Sequence, residues 1–199
     1  MIANAIPATL VSESNYNLNL DEYYAKMEII IRNIMLRPEK NTLTYDILDT
    51  EKCIQSKKIA LNVKHYQMKY GEIWQAAIGN YPGFIDLGIG HKTGLDILSE
   101  SRKLIIELKN RTNTDNASSK KSNLDKLSKF KNENPEYMVI YANINADSEK
   151  KTWQGSNSKI IHNGIEIEYL VGYQFLTFIF GEKTKEIVEF LKITINKYN

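Results

Sequence analysis

Gly94-Leu95-Asp96-Ile97-Leu98-Ser99-Glu100-Ser101-Arg102-Lys103-Leu104-Ile105-Ile106-Glu107-Leu108-Lys109-Asn110-Arg111 is the stretch whose reading decides the fold. Two short apolar runs, Leu95 to Leu98 and Leu104 to Leu108, flank the polar cluster Ser99 to Lys103, the pattern of a β-hairpin. A loop centred between Ser101 and Arg102 makes the numbers of cross-strand partners sum to 203, which sets Asp96 opposite Glu107. Side chains alternate along a strand, so Lys109 shares the face of Glu107 while Leu104, Ile106 and Leu108 point the other way into a core. Two like charges placed side by side on a strand pair are destabilising unless something compensates them. A hard divalent cation bridging the carboxylates does so, and the expectation is a metal site.

This acid, hairpin and acid-x-Lys order, carried by Asp96, Glu107 and Lys109, resembles the PD-(D/E)xK nuclease superfamily, most closely its type II restriction endonucleases. The family's proline before the first acid is Leu95 here. The wider run from Glu72 through Lys121 is similar to the same enzymes. The resemblance implies an α/β (α+β) fold, a central mixed β-sheet flanked by helices. It implies a Mg²⁺-dependent, site-specific endonuclease of double-stranded DNA, with Asp96 and Glu107 holding Mg²⁺ and Lys109 positioning or deprotonating the attacking water, or stabilising charge. Products with 5′-phosphate ends, a homodimer matched to a palindromic target, and a cognate DNA methyltransferase in a restriction-modification system belong to the same expectation. In such enzymes an upstream helix often brings a glutamate to the metal, and Glu72 is the natural choice.

The residues alone leave alternatives open. Taken alone, an acid-x-Lys on a strand fits a solvated salt-bridge ladder better than a site, and Glu72 equally fits a solvated helix face. Asp86 rivals Asp96 as first acid, and His91 suits a structural or DNA-contacting role better than a catalytic base. A structure-selective or repair nuclease on the same scaffold would keep the three catalytic residues, and a non-catalytic DNA-binding module would keep only the basic segments.

At 199 residues the chain suits a single domain, 1–199, able to bury about 70% of its unfolded surface. With 42% hydrophobic and 25% charged residues it has an ordinary globular composition, and a net charge of +2 is too small to identify a polyanionic partner by itself. The single cysteine, Cys53, excludes an internal disulfide framework and a cysteine metal cluster. Residues 1–10 lack the basic region and apolar core of a secretory signal, and no run is long enough to span a bilayer. The expectation is a soluble cytoplasmic protein.

Apolar spacing predicts a helix over Asp21–Leu36, with Asp21 capping it and Pro38 beyond its end. A second helix is predicted over Ile59–Ile78, in one piece or in two broken at Gly71, with Glu72 and Gln75 on one face. Gly79 to His91 holds Pro82 and four glycines and cannot be a regular helix. Asn110 to Asn123 reads as an exposed loop. Its Asn110, Arg111, Asn113, Asn116, Ser118, Ser119, Lys120 and Lys121 are the side chains suited to phosphates and base edges. Ser122 or Asn123 then caps a helix to about Lys131, with Leu124, Leu127 and Phe130 as its apolar stripe and Lys120, Lys121, Lys126, Lys129 and Lys131 as a basic cluster. A buried strand over Tyr137–Ile144 completes a strand-helix-strand unit. Residues 150–158 read as a second polar and basic loop, with Trp153 packing it onto the domain. A strand over Ile165–Val171, an apolar segment Gly172–Gly181 and a closing helix over Glu182–Tyr198 follow.

Overall fold

The hairpin forms in the register read from the sequence. A computed structural model, which describes residues 19–38, 42–88, 90–111 and 116–199, pairs strand β2 (Ile97–Ser99) antiparallel with β3 (Leu104–Arg111). Ile97 faces Ile106, Leu98 faces Ile105 and Ser99 faces Leu104. On the outer side β1 (Ile85–Asp86) pairs antiparallel with β2, and on the inner side β4 (Met138–Asn145) runs parallel to β3. A parallel neighbour requires a crossover, supplied here by helix α3 (Ala117–Glu133). Strand β6 (Ile165–Val171) lies parallel to β4, and β5 (Ser156–His162) closes the sheet antiparallel to β6. Among the described residues the strand order is β1-β2-β3-β4-β6-β5, a mixed six-stranded sheet with helices on both faces and thus the α+β architecture expected.

Alternation sorts the two cores. Leu104, Ile106, Ile140 and Ala142 face helices α1 (Leu20–Met35), α2 (Glu51–Gly79), α5 (Gly172–Phe180) and α6 (Thr184–Lys197), packing with Met27, Ile31, Ile73, Phe175 and Ile187. Ile105, Val139 and Ile167 face the other way, under Leu124 and Leu127 of α3. Central strands covered on both sides are apolar almost throughout, which leaves Glu107 conspicuous among the buried residues of β3.

The local readings need several corrections. Asn19, not Asp21, caps α1, its side-chain oxygen accepting from Glu22 N at 3.2 Å. Helix α2 starts at Glu51 behind the cap Thr50 and runs unbroken through Gly71. A helical glycine costs only about 1 kcal/mol against alanine, less than the burial of Ile73, Ala76, Ala77 and Ile78 returns. Helix α3 begins at Ala117, capped by Asn116, whose side chain accepts from Ser119 N at 2.8 Å. Its first buried residue is Asn123, so apolar periodicity could not mark its start. Residues 149–154 form helix α4 (Glu149–Gln154), and 156–158 belong to β5 rather than to a loop. Trp153 does pack onto the domain, stacked on Tyr173 with ring centroids 5.1 Å apart.

Candidate active site

The site is assembled from the end of α2 outward. A Cβ at Gly79 would lie 2.5 Å from Asp86 Cβ, so only glycine lets β1 cross so close to the helix end. Leu87 N then donates to Asp96 O at 2.9 Å, and Asp96 N to Ile106 O at 3.2 Å, which carries the hairpin ladder one residue past Ile97. Gly94, at φ 63°, makes the turn before this strand, and His91 closes it through Nδ1 and Thr93 Oγ1 at 2.8 Å. His91 is therefore a local turn residue. Asp96 Oδ2 accepts from Leu108 N at 2.7 Å, which fixes the carboxylate against β3 beside Glu107.

Glu107 is 3% exposed. Its Oε1 accepts from Lys109 Nζ at 2.5 Å, while Oε2 is buried with no hydrogen-bond partner. Burial pushes the Glu107 carboxyl above the usual range and the charge of Asp96 pushes it further, with Lys109 and Lys126 acting in opposition. Burial likewise raises Asp96; the Leu108 N–H, Lys109 and Lys126 oppose the rise and Asp86 adds to it. Both carboxyls thus carry a net penalty for being ionised, which the neighbouring lysines reduce without removing. A further cation beside the pair would offset that penalty.

Among the described residues no cluster of three or more His, Cys, Asp or Glu side chains is arranged to hold a metal. Two adjacent carboxylates, one with an unsatisfied oxygen, nevertheless suit Mg²⁺, which keeps several waters and is commonly bound through one or two carboxylates plus substrate phosphates. The donor set fits that ion better than zinc, for which the site offers neither thiolate nor imidazole.

The remaining sequence-predicted residues are distributed unevenly around this centre. Glu72 lines a cleft of about 460 Å³ between α2 and the end of β3, together with Lys109 and Arg111, but both its oxygens accept from Arg37 Nη2 at 2.7 Å. Asp86 accepts from Gln75 Nε2 and from Gly88 N, both at 2.9 Å. Asn110 is spent on the scaffold: its Nδ2 donates to Gln67 O at 2.9 Å and its Oδ1 accepts from Asn145 Nδ2 at 2.9 Å. Ser118, Ser119, Lys120 and Lys121 stand on the first turns of α3 instead of a loop, Asn116 is the cap of that helix, and Asn113 lies outside the described residues. Lys120 Nζ sits 5.9 Å and 5.8 Å from the ring centroids of Tyr141 and Tyr169.

The basic cluster expected on α3 dissolves into separate tasks. Lys131 donates to Pro135 O and Tyr137 O, and Lys129 faces Glu133 at 3.9 Å. Lys126 turns toward the acid pair, donating to Gly94 O at 3.2 Å and to Asn123 Oδ1 at 3.3 Å. Sequence reasoning missed this role, because nothing in a lysine-rich helix marks one lysine as different. It also missed Tyr141 and Asn143, which stand on β4 beside Glu107 and Lys109 on the same face. Asn143 is buried, with Nδ2 donating to Tyr169 OH at 2.9 Å. An asparagine inside the apolar run Met138 to Ile144 was a readable signal.

The described residues include no helix long and apolar enough to cross a membrane. No curated protein matches the chain significantly. A family match, in contrast, covers residues 8–198, nearly the whole length, with the Asp96 hairpin, the acid-x-Lys strand and the crossover helix all inside it. On that match the chain belongs to the Eco47II restriction endonuclease family, and its activity is that of a restriction-endonuclease-type nuclease.

Proposed function

We propose that the chain is a Mg²⁺-dependent, site-specific endonuclease of double-stranded DNA in which Asp96 and Glu107 hold the ion and Lys109 is the catalytic lysine. The observation that carries this reading is the buried, unpartnered Oε2 of Glu107 beside a second desolvated carboxylate. When bound, Mg²⁺ supplies Lewis-acid polarisation of the scissile phosphate and neutralises charge there. Asp96 is held by the Leu108 N–H and Glu107 by the Lys109 ammonium, so both carboxylates are oriented before substrate arrives. Lys109, partly exposed at the rim of the pair, stabilises negative charge developing on the phosphoryl oxygens. Lys126 anchors the Gly94 turn and lowers the cost of ionising both acids. A water oxygen attacks phosphorus and gives up a proton to solvent, the P–O3′ bond breaks, and the departing O3′ takes up a proton from solvent. The products are a 5′-phosphate and a 3′-hydroxyl.

DNA contacts are assigned to Arg111, at the end of β3, to Asn113, and to Ser118, Ser119, Lys120 and Lys121 on α3, whose N-terminal end favours phosphate. A palindromic target implies a symmetric homodimer, and a cognate methyltransferase would protect host DNA. The test is incubation with plasmid DNA in Mg²⁺ and in EDTA, followed by sequencing of fragment ends. Discrete Mg²⁺-dependent fragments with 5′-phosphates support the reading. A smear would indicate a nonspecific nuclease, and intact plasmid would refute both.

A further inference from the structure

The sheet face beneath α3 divides into two halves. Phe130 meets Tyr137, just before β4, with ring centroids 5.4 Å apart, whereas Lys120 Nζ lies over Tyr141 farther along that strand, so α3 runs opposite to β4. Ile105, Val139 and Ile167 are covered by Leu124 and Leu127. Toward the C-terminal ends of β3, β4 and β6 the first turns of α3 contribute no buried residue, and the same face becomes largely polar. Register lays it out in two rows across the strands. Glu107, Tyr141, Tyr169 and Ser158 form one, and Lys109, Asn143, Val171 and Ser156 the other. Glu107 is the only acid in either row, so the shelf that leads away from the acid pair carries no further negative side chain.

Tyr169 is the residue on this shelf with a donor to spare. Its side chain is half-buried, and its hydroxyl oxygen accepts from Asn143 Nδ2 at 2.9 Å. Asn143 is the cross-strand neighbour of Lys109, so this bond draws the hydroxyl out of its own row and toward the catalytic lysine. Among the described residues nothing accepts the hydroxyl's own proton. Lys120 Nζ stands over the same ring, 5.8 Å from its centroid, and among the described residues it pairs with no carboxylate. A hydroxyl donor and an ammonium without an anionic partner thus share one position above β6, the kind of donor set that phosphate oxygens take.

We infer that Tyr169 and Lys120 form a second phosphate subsite, which grips the cut DNA strand to one side of the scissile position. Neighbouring strands of a sheet lie about 4.8 Å apart, which puts β6 about 10 Å from β3. One strand of B-DNA carries a phosphate about every 3.4 Å of duplex axis. The subsite therefore meets a phosphate within about three of the one being cleaved. Holding that phosphate fixes the scissile one against the acid pair, so the contact serves the rate of cleavage as well as affinity. The inference rests on the reading of the chain as a site-specific DNA endonuclease and adds Tyr169 as a substrate-binding residue.

The experiment uses the full chain and a duplex carrying the cut site that fragment-end sequencing defines. Single-turnover cleavage in Mg²⁺ is compared for wild type and Tyr169→Phe. Each phosphate flanking the cut is replaced in turn by a methylphosphonate, which has no charge. One position should slow wild type by about 10–100-fold, the worth of a hydrogen bond to a charged group. Tyr169→Phe should slow the unmodified duplex to a similar degree, yet lose less than about threefold more at that one position, because the two changes remove the same contact. A tyrosine that only braces Asn143 gives costs that multiply at every position, and that result overturns the subsite while leaving the nuclease reading standing. A wild type insensitive at every flanking phosphate does the same. If circular dichroism shows Tyr169→Phe unfolded, Lys120→Gln, on an exposed turn of α3, takes its place and must lose sensitivity at one position by the same criterion. A wild type that makes no discrete cut overturns both the subsite and the reading on which it rests.

Discussion

Replacing Asp96 by asparagine should make the metal-free protein more stable while abolishing cleavage. Asparagine keeps an oxygen to accept the Leu108 N–H that Asp96 Oδ2 holds at 2.7 Å, so the hairpin geometry survives. What disappears is a charge that burial disfavours and that raises the pKa of Glu107. The folded-state pKa of Asp96 lies above its unfolded value near 3.9, so the folded chain holds the proton more tightly. Stability contributed by the neutral form is therefore fully present below about pH 4 and is lost as pH rises through the folded pKa. The loss amounts to about 1.4 kcal/mol for every tenfold difference in proton affinity between the folded and unfolded chain. At neutral pH a half-buried, incompletely compensated carboxylate such as Asp96 costs about 1–2 kcal/mol, and each kcal/mol moves Tm by about 2–4 °C in a domain of this size. In EDTA at pH 7.5, Asp96→Asn should thus melt several degrees above wild type, and the gap should close as pH falls toward 4. Mg²⁺ at 100 times its dissociation constant would stabilise wild type by about 2.7 kcal/mol and the variant far less. Differential scanning calorimetry across pH, with and without Mg²⁺, reads all of this. A variant less stable than wild type in EDTA at pH 7.5, or a gap independent of pH, would refute the claim that this pair is electrostatically strained without its ion.

Three other outcomes are expected. Lys126→Ala leaves both carboxylates less compensated and frees the Gly94 carbonyl, and single-turnover cleavage should slow by about 10–100-fold; an unchanged rate would confine Lys126 to packing. Gly79→Ala forces β1 away from α2 and should lower the urea midpoint by an amount equivalent to about 1–3 kcal/mol, with the m-value unchanged. Lys120→Ala/Lys121→Ala should reduce the slope of log affinity against log salt by about 0.9 for each phosphate no longer neutralised, measured by fluorescence anisotropy in EDTA; an identical slope would remove the first turns of α3 from the DNA interface.

The hairpin was legible because strand alternation and a short polar loop jointly fix register, and register alone places Asp96, Glu107 and Lys109 on one face. Helices α1, the second half of α2 and α6 were legible for the same kind of reason, since each has a periodic apolar stripe facing a core. Where the stripe fails, the reading failed. The first turns of α3, and α2 before His65, contribute no buried residue, and sequence periodicity reports burial rather than helicity. The roles of individual lysines were equally hidden, since Lys126 and Lys131 differ only in what the fold brings near them.

By itself, then, the sequence determined the local pairing that assembles two acids and a lysine, because that geometry depends on residues within one hairpin. Only the tertiary structure decided how far those acids are desolvated, that Glu107 Oε2 is left unpartnered, and that Lys126 arrives from a helix to oppose their repulsion. Those properties depend on what covers the hairpin, and the covering elements lie elsewhere in the chain, so that no local pattern encodes them.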